Sequence, residues 1–393
     1  MNKKTIRDVD VSGKRVLVRV DFNVPIDNSG NIENDLRIRA TVPTINYLCE
    51  HGAKTVLISH LGRPKKREPH LKMDSVSRRL SEILGKPVKK IDECIGDSVL
   101  RNIEEMNNGD ILMLENIRFH PEETKNDDAF AKALARNGDI FVCDSFATAH
   151  RVHASTVGIA KYIEGYAGFL LEREINYLGM IAKNPKHPFT VVVGGAKVSD
   201  KLGLVEKFIG KASQVCIGGG MAYTFLKARG LKTGNSIIEI DRIKDAERLF
   251  KEAEKHGIDI ELPVDVVVTE KLEDTAPHKI VPVEEIPNGS LGADIGPETV
   301  RIFSRIIKNS ATVFWNGPMG VYEIPIFSVG TRGVADAMAA CSGVTVCGGG
   351  DIGAALEKMG YAGRISHIST GGGASLEFLA GKELPGISVL SDK

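Results

Sequence analysis

The run TVVVGGAKVSDKLGLV, residues 190–205, passes from an apolar, β-branched stretch into two glycines and then into a helix-like segment. The same pattern occurs again in VCIGGGMAYTFL (215–226), VTVCGGGDIGAALEKM (344–359) and ISHISTGGGASLEFL (365–379). A helix N-terminus exposes backbone N–H groups and partial positive charge, and glycines there let an anion approach. One such turn is ordinary in a parallel α/β domain. Four of them in one half of the chain favour a ligand with several phosphates.

Strand-like and helix-like segments alternate along the whole chain. In the first half, nearly continuous Val, Ile and Leu runs are typical of parallel strands that are covered on both faces. This alternation predicts an α/β fold of doubly wound, Rossmann-like, three-layer design. The predicted strands of this half are RVLVRVDF (15–22), AKTVLISH (53–60), DILMLEN (110–116) and DIFVCDSF (139–146), and the predicted helices cover 37–52, 74–85 and 127–138.

The length of 393 residues exceeds the usual size of one core, so two domains are expected. The alternation restarts at Phe189, and the segment before it has apolar residues at near-helical spacing that stop before Asn184 and Pro185. We therefore predict two parallel-sheet lobes joined by a helix and hinge. The predicted parts are an N-terminal lobe over 1–170, an interdomain helix over 171–185, a C-terminal lobe over 186–380, and a tail over 381–393 that returns to the N-terminal lobe.

The composition excludes several classes of partner. Lys and Arg number 51, as do Asp and Glu, so no net field recruits nucleic acid or an anionic membrane. The six cysteines form no CxxC pair, the N-terminus lacks the apolar core of a signal peptide, and no apolar run approaches the ~20 residues that span a bilayer. We therefore expect a cytoplasmic protein with neither nucleic acid nor membrane as a partner.

Cationic and amide side chains follow the predicted strands of the N-terminal half. In a parallel sheet the loops after the strand C-termini share one edge, where ligands bind. Any one of these residues alone is an ordinary surface residue, but together they predict a basic pocket for a small, multiply charged anion. The set comprises Asp21, Asn23, Arg37, Arg39, Ser59, His60, Arg63, Arg118, His120, His150, Arg151 and His153.

Two anion sites on two lobes favour phosphoryl transfer between a nucleotide and a small acid, with hinge closure to exclude water. A dehydrogenase is the first alternative, because Gly348, Gly350 and Gly353 match GxGxxG. However, the next strand ends in Thr370 instead of the acidic residue that a dinucleotide fold needs. A non-catalytic two-lobe binding protein is the second alternative. Lys197 beside a glycine loop argues against it, since a receptor has little need of that lysine.

Nine motifs occur in order between residue 15 and about residue 380. They are RVDFNVP (19–25), SHLGRPK (59–65), ENIRFHPEE (115–123), AHRVHAST (149–156), GGAKVSDK (194–201), DIGPET (294–299), WNGPMGVYE (315–323), GGGD (348–351) and STGGGASLE (369–377). Together they resemble the phosphoglycerate kinase family. The resemblance implies a Mg²⁺-dependent phosphotransferase with a carboxyl acceptor, working as a monomer. It would reversibly transfer the acyl phosphate of 1,3-bisphosphoglycerate to ADP, giving 3-phosphoglycerate and ATP.

The resemblance also implies roles for individual residues. The glycerate would bind to Asp21, Asn23, Arg37, His60, Arg63, Arg118 and Arg151. The nucleotide would bind to Lys201, Gly292, Glu323, Gly350, Asp351, Ile352 and Gly353. Asp351 would also face Mg²⁺. Catalysis would depend on Arg37, Lys197, Gly350 and Gly372, which surround the transferred group. We expect no catalytic histidine, because a carboxylate leaving group needs no strong acid.

Three departures from the family pattern concern the candidate site. Ile352 and Gly353 stand where the family usually has a small hydroxyl residue and an alanine. Ser145 and Ala147 replace an alanine and a glycine, which would strain Ala147 only if its φ is positive. Pro325 lies in the loop after Glu323 and should stiffen it. None of the three removes a charged residue, so activity is expected.

Overall fold

The computed structural model describes residues 2–27 and 29–393. The chain divides into two compact units: unit 1 is Met1–Asn176 with Lys382–Lys393, and unit 2 is Tyr177–Gly381. Within the described ranges, no helix has both the length and the apolar character needed to cross a bilayer.

Unit 1 contains a six-stranded parallel sheet in the order β3-β4-β2-β1-β5-β6. Each strand predicted in this half is confirmed, with ends shorter by a few residues. The strands are β1 (Arg15–Val20), β2 (Lys54–Ile58), β3 (Lys89–Lys90), β4 (Ile111–Met113), β5 (Ile140–Asp144) and β6 (Gly165–Ala167). The helices are α1 (Leu36–Glu50), α2 (Asp74–Leu84), α3 (Asp97–Glu104), α4 (Glu122–Lys125), α5 (Asp128–Ala135) and, near the C-terminus, α14 (Pro385–Ser388).

The strand β1 lies at the centre of this sheet and fixes the position of the site residues. Val18 of β1 pairs with Leu57 of β2 on one side and with Val142 of β5 on the other. Val16, Val18 and Val20 are fully buried in the core. Since all three strands run in one direction, the loops that follow them lie at one edge of the sheet.

Unit 2 contains a second six-stranded parallel sheet, in the order β15-β14-β13-β7-β8-β9. Its strands are β7 (Phe189–Val193), β8 (Gln214–Ile217), β9 (Asp259–Glu261), β13 (Thr312–Asn316), β14 (Val344–Gly348) and β15 (His367–Ser369). The helices are α7 (Leu202–Ile209), α8 (Ala222–Ala228), α9 (Ile243–Lys255), α10 (Pro297–Lys308), α11 (Val329–Ala340), α12 (Gly350–Lys358) and α13 (Gly373–Leu379). The prediction of doubly wound α/β lobes is confirmed.

A three-stranded antiparallel sheet corrects the sequence interpretation of unit 2, which expected uninterrupted strand–helix alternation after Phe189. It consists of β10 (Asp265–Thr269), β11 (His278–Pro282) and β12 (Leu291–Ile295), in the order β11-β10-β12. β10 is buried along its whole length, whereas four of the five residues of β11 are exposed. The strand β11 (HKIVP) is short and exposed and has no alternation of polar and apolar residues, so it lacks the period of a strand and the sequence did not reveal it.

The helix α6 (Phe169–Lys183) spans the change from unit 1 to unit 2 and ends just before Asn184 and Pro185. The chain end, from Lys382 onward, belongs to unit 1. There Gly386 N–H donates to the Ala149 carbonyl at 2.8 Å, and the Lys3 ammonium lies 2.8 Å from the Asp392 carboxylate.

The start of α6 is held by a buried carboxylate. Asp144, at the end of β5, accepts the Leu171 N–H at 3.1 Å through Oδ1, while its Oδ2 has no hydrogen-bond partner. Burial raises the pKa of Asp144 to about 7. Gly168 is required beside it, because a Cβ there would lie 2.2 Å from Asp144 Oδ1.

Replacing Asp144 by asparagine should change how stability depends on pH. The folded protein holds the Asp144 proton more tightly than the unfolded chain does. The wild-type free energy of unfolding therefore loses this contribution as pH rises from the ordinary value near 4 to about 7. Asp144→Asn removes that decline, so the variant should gain on the order of 1–3 kcal/mol relative to wild type across this window. Urea unfolding at pH 5 and pH 8 measures the difference.

Asp139→Asn is the matched contrast, because its pKa is lowered by its hydrogen bonds to Arg15. A lowered folded pKa gives stability that is present at neutral pH and lost as pH falls, so this variant should show the opposite trend. An Asp144→Asn variant whose stability followed the wild-type pH profile would contradict the assignment.

Candidate active site

The first group of predicted residues lies at the end of β1. Asp21 is 5% exposed, and its Oδ2 accepts a short hydrogen bond from Nη1 of Arg37 in the first turn of α1. Its Oδ1 accepts the Asn23 N–H at 3.2 Å. The carboxylate therefore orients the Arg37 guanidinium and closes the turn that carries Asn23.

Gly62 connects this group to the next strand ends. Its N–H donates to Asn23 Oδ1 at 2.8 Å, and its carbonyl accepts from Arg118 Nη1 at 2.7 Å. The backbone of Gly62 has φ +64°, and a Cβ would lie 2.8 Å from Leu71 Cδ2. A glycine is therefore required at this crossing point, which the motif SHLGRPK supplies.

A cavity of about 560 Å³ brings the three predicted arginines of the following loops together. Arg63, Arg118 and Arg151 line it, together with Lys65 and Lys66. Burial, then the charges of Arg19 and Arg151, lower the pKa of Arg118 to about 10. The guanidiniums thus repel one another, and a multiply charged anion would relieve that repulsion.

His60 lies among these arginines and is 4% exposed. Its pKa falls well below the ordinary value because burial disfavours the charged ring and because Arg19, Arg118, Arg37 and Arg151 repel it. Its ring is therefore neutral at physiological pH, which fits a hydrogen-bonding role. Of the other histidines considered from the sequence, His153 has its pKa lowered to about 4 by burial first and then by neighbouring arginines.

In unit 2, a cavity of about 280 Å³ collects three of the predicted nucleotide residues, Gly292, Glu323 and Asp351. Its walls are mostly glycine and apolar residues, which suits a flat aromatic base better than a second charged group. Residues to which the sequence gave no role also line it: Ala196, Tyr223, Asp294 and Ile295.

Gly292 is expected to tolerate no side chain. A Cβ there would lie 1.5 Å from the Tyr223 hydroxyl oxygen, and Tyr223 is itself only 4% exposed. We predict that Gly292→Ala weakens nucleotide binding measured by calorimetry and costs about 1–3 kcal/mol of stability through overpacking. Gly363→Ala is the control, because a Cβ at Gly363 meets nothing within 4 Å. Unchanged nucleotide affinity in Gly292→Ala would remove Gly292 from the binding site.

The glycine clusters differ in how they relate to helices. α12 begins at Gly350 directly after Gly349 (φ +114°), and α13 begins at Gly373 directly after Gly372 (φ +53°). The cluster at 194–195 instead precedes a loop, since α7 begins only at Leu202. The first backbone bond of α12 runs from Gly353 N–H to the Gly349 carbonyl at 3.2 Å, so the N–H groups of residues 350–352 lack helical acceptors.

The two lysines of GGAKVSDK have different surroundings. Lys201 is partly buried and donates a short hydrogen bond to Asn316 Oδ1, while burial lowers its pKa. Asn316 in turn donates to the Gly348 carbonyl, which links the first glycine loop to the third. Lys197 is exposed in the loop before α7, next to the cavity-lining Ala196.

A family model described as phosphoglycerate kinase matches residues 6–382. The chain belongs to the phosphoglycerate kinase family. Its curated relatives include the phosphoglycerate kinases of Pelotomaculum thermopropionicum and Rubrobacter xylanophilus. Each is 52% identical over 394 residues and covers all of this chain, with 100% and 99% of the respective relatives covered.

Solved phosphoglycerate kinase structures share the fold over nearly their whole length. The structure from Coxiella burnetii aligns with a TM-score of 0.87 at 38% identity, and that from Pyrococcus horikoshii OT3 with a TM-score of 0.88 at 35% identity. In both comparisons the alignment covers 98% of this chain and 98% of the other.

The departures from the phosphoglycerate kinase pattern now have structural consequences. Ile352 is fully buried in the core of unit 2, so it offers only its backbone N–H toward a ligand. The Gly353 N–H donates to the Gly349 carbonyl within α12, and a Cβ at Gly353 would lie 3.3 Å from the Ile368 side chain. Neither the N–H nor the Cα of Gly353 therefore points to a nucleotide contact. Among the described non-glycine residues only Asn126 has positive φ, so Ala147 is unstrained. Pro325 begins a short 3₁₀ helix, where its fixed φ is compatible.

Buried polar residues around the basic pocket of unit 1 were also missed by sequence reasoning. Arg19, Glu123 and Ser155 are each at most 1% exposed, and Ser155 is hydrogen-bonded to both of the others. The sequence held part of the signal for this group, since Arg19 places a charge within the apolar run of β1. It gave no indication that Ser155 and Glu123 are the partners of Arg19.

Proposed function

We propose that this chain catalyses reversible transfer of the acyl phosphate of 1,3-bisphosphoglycerate to ADP, giving 3-phosphoglycerate and ATP. The observation that carries the proposal is the convergence of Arg37, Arg118 and Arg151 on neutral His60 at one sheet edge, where Arg63 shares a cavity with Arg118 and Arg151. Such a cluster fits a small acid bearing both a carboxylate and a phosphate. Membership of the phosphoglycerate kinase family supports the same reaction.

The glycerate would bind in unit 1. Arg63, Arg118 and Arg151 would contact the phosphate, because they share the cavity and their guanidiniums match phosphate oxygens. Asp21 would accept a hydrogen bond from the substrate hydroxyl, and Asn23 would donate one to it. Arg37, held by Asp21, would stabilise the charge on the carboxyl oxygen that carries the transferred group.

The nucleotide would bind in unit 2. The purine would lie against Gly292, and the Glu323 carboxylate would accept from the ribose hydroxyls. Lys201 and the N–H groups of residues 350–352 would contact the phosphates, and Lys197 with the amides near Gly372 would stabilise the moving phosphoryl. Because the transfer is loose and metaphosphate-like, these groups act by position and charge, and no side chain needs to move a proton.

Mg²⁺ fits this site through one protein carboxylate. In the described residues, no group of three or more His, Cys, Asp or Glu side chains could hold a metal by itself. Asp351 is exposed at the start of α12 and lines the nucleotide cavity. A single carboxylate together with phosphate oxygens and water is the usual donor set for Mg²⁺, which when bound neutralises phosphate charge.

The competing functions have less support. The dehydrogenase fingerprint at Gly348, Gly350 and Gly353 lies between β14 and α12, but no acidic residue ends β15. A binding protein without activity would leave Lys197 and Arg37 without a role. We also infer a monomer that works in the cytoplasm, where its buried cysteines would stay reduced. Sedimentation and cell fractionation test these two points.

A coupled assay tests the proposed reaction. Purified protein, ATP, Mg²⁺ and 3-phosphoglycerate are combined with glyceraldehyde-3-phosphate dehydrogenase and NADH, and loss of NADH absorbance is followed. We expect a signal that requires all substrates and disappears with EDTA. If both substrates bind in calorimetry but NADH absorbance does not change, the chain is a binding protein without activity. Tight binding of NAD would instead indicate the dehydrogenase.

A further inference from the structure

A buried arginine lies at the centre of unit 1, on the strand that carries the substrate residues. Arg19 of β1 is 1% exposed. Its Nη1 donates to the Val20 carbonyl, its Nε donates to Ser155 Oγ at 2.9 Å, and its Nη2 lies 3.2 Å from His60 Nδ1. A buried guanidinium is costly unless a negative charge is close and its donors are satisfied.

That negative charge is Glu123, reached through Ser155. The Ser155 hydroxyl donates to Glu123 Oε1 at 2.6 Å, and the Ser155 N–H donates to Oε2 at 2.9 Å. Both carboxylate oxygens are thus bonded to one residue. Because the hydroxyl has only one proton and gives it to Glu123, its lone pair is what Arg19 Nε meets. The donor and the acceptor of each hydrogen bond from Arg19 through Ser155 to Glu123 are therefore determined.

The same reasoning fixes the proton on His60. A guanidinium only donates, so the His60 Nδ1 that faces Arg19 must accept and carries no proton. Asp21 Oδ1 lies 3.7 Å from the same nitrogen, beyond hydrogen-bond range, and its two oxygens already accept from Arg37 and from the Asn23 N–H. The neutral ring consequently carries its proton on Nε2.

We propose that Glu123, acting through Ser155 and Arg19, is a positioning residue that holds His60 in the Nε2–H tautomer required to donate to an oxygen of the acidic substrate. Glu123 is fully buried and both of its carboxylate oxygens bond to Ser155, so it acts only through the other side chains. In the opposite tautomer, Nε2 would present a lone pair to substrate oxygens, which carry lone pairs themselves. The identity of the substrate and its contact with His60 both rest on the proposed function, whereas the tautomer does not.

Nitrogen NMR of ¹⁵N-histidine-labelled protein, without ligand, tests the tautomer directly. The His60 signals are assigned by their loss in His60→Gln. We expect unprotonated Nδ1 and protonated Nε2 in the wild type. Ser155→Ala removes the acceptor of Arg19 Nε, and Glu123→Gln can accept only one of the two Ser155 donors. Both variants should show a mixture of tautomers.

Thr156→Val is the matched control, because the buried Thr156 hydroxyl has no hydrogen-bond partner in the structure. It should leave the His60 signals unchanged. A protonated Nδ1 in the wild type, or unaltered signals in Ser155→Ala, would overturn the proposal. Urea unfolding of each variant confirms that the measured species is folded. If Glu123→Gln does not fold, Ser155→Ala alone tests the proposal.

Kinetics provide the second measurement. With one substrate hydrogen bond weakened, Ser155→Ala should raise KM for 3-phosphoglycerate roughly three- to tenfold and leave KM for MgATP unchanged. Equal changes in both constants would indicate a general structural defect and contradict positioning. Absence of any phosphoryl transfer by the wild type would refute the proposed function but leave the NMR result standing. The expected NMR result with unchanged KM would refute the link to the substrate.

Discussion

Lys197→Ala is expected to lower kcat for phosphoryl transfer by about 10²–10³, because one preorganised charge aimed at the transferred group is lost. KM for MgATP should change little, since Lys201 and the start of α12 would still hold the nucleotide phosphates. Lys197 is exposed, so its removal leaves no buried cavity or unpaired group. Steady-state kinetics with each substrate varied separately measures both constants.

The loop that carries Lys197 should stay in place in this variant. Ser199 donates to the Glu239 carboxylate from its N–H at 3.0 Å and from its hydroxyl at 2.6 Å, which holds the loop independently of Lys197. Lys251→Ala, at an exposed position on α9, is the control and should behave as wild type. If Lys197→Ala instead raised KM for MgATP and left kcat unchanged, Lys197 would be a binding residue only.

Arg151→Met should weaken 3-phosphoglycerate binding by about 2–5 kcal/mol, on the order of 10²-fold or more, since a partly buried charge pair with the phosphate is lost. Methionine keeps an apolar stem of similar length. The free protein should be at least as stable as wild type, because the variant removes the charge that repels Arg118. Calorimetric titration with 3-phosphoglycerate and thermal unfolding without ligand measure the two effects.

Arg78→Met is the control for Arg151→Met, because Arg78 is an exposed arginine of the same unit. It should change neither 3-phosphoglycerate binding nor thermal unfolding. An Arg151→Met variant with weaker MgATP binding and normal 3-phosphoglycerate binding would show that the glycerate and nucleotide sites have been assigned to the wrong units.

Local patterns were sufficient to predict the parallel sheets. Buried parallel strands have continuous apolar sequences, so β1, β2, β5 and β7 could be located within a few residues. Gly349 and Gly372 of the glycine clusters could be placed in turns, since the backbone conformations with positive φ that they adopt favour glycine locally. The antiparallel sheet around β10 was missed, because its edge strand β11 is mostly exposed and carries no periodic signal.

The sequence by itself determined the α/β fold class, the glycine turns and the supply of arginines at the strand ends, because each depends on neighbouring residues. Only the tertiary structure decided the proton position on His60 and the burial of Ile352. Arg19, His60, Glu123 and Ser155 are separated by 32 to 136 positions where they bond, so no local pattern relates them. Which nitrogen of His60 donates follows from packing three distant polar side chains against the ring in the buried interior, where donors need acceptors.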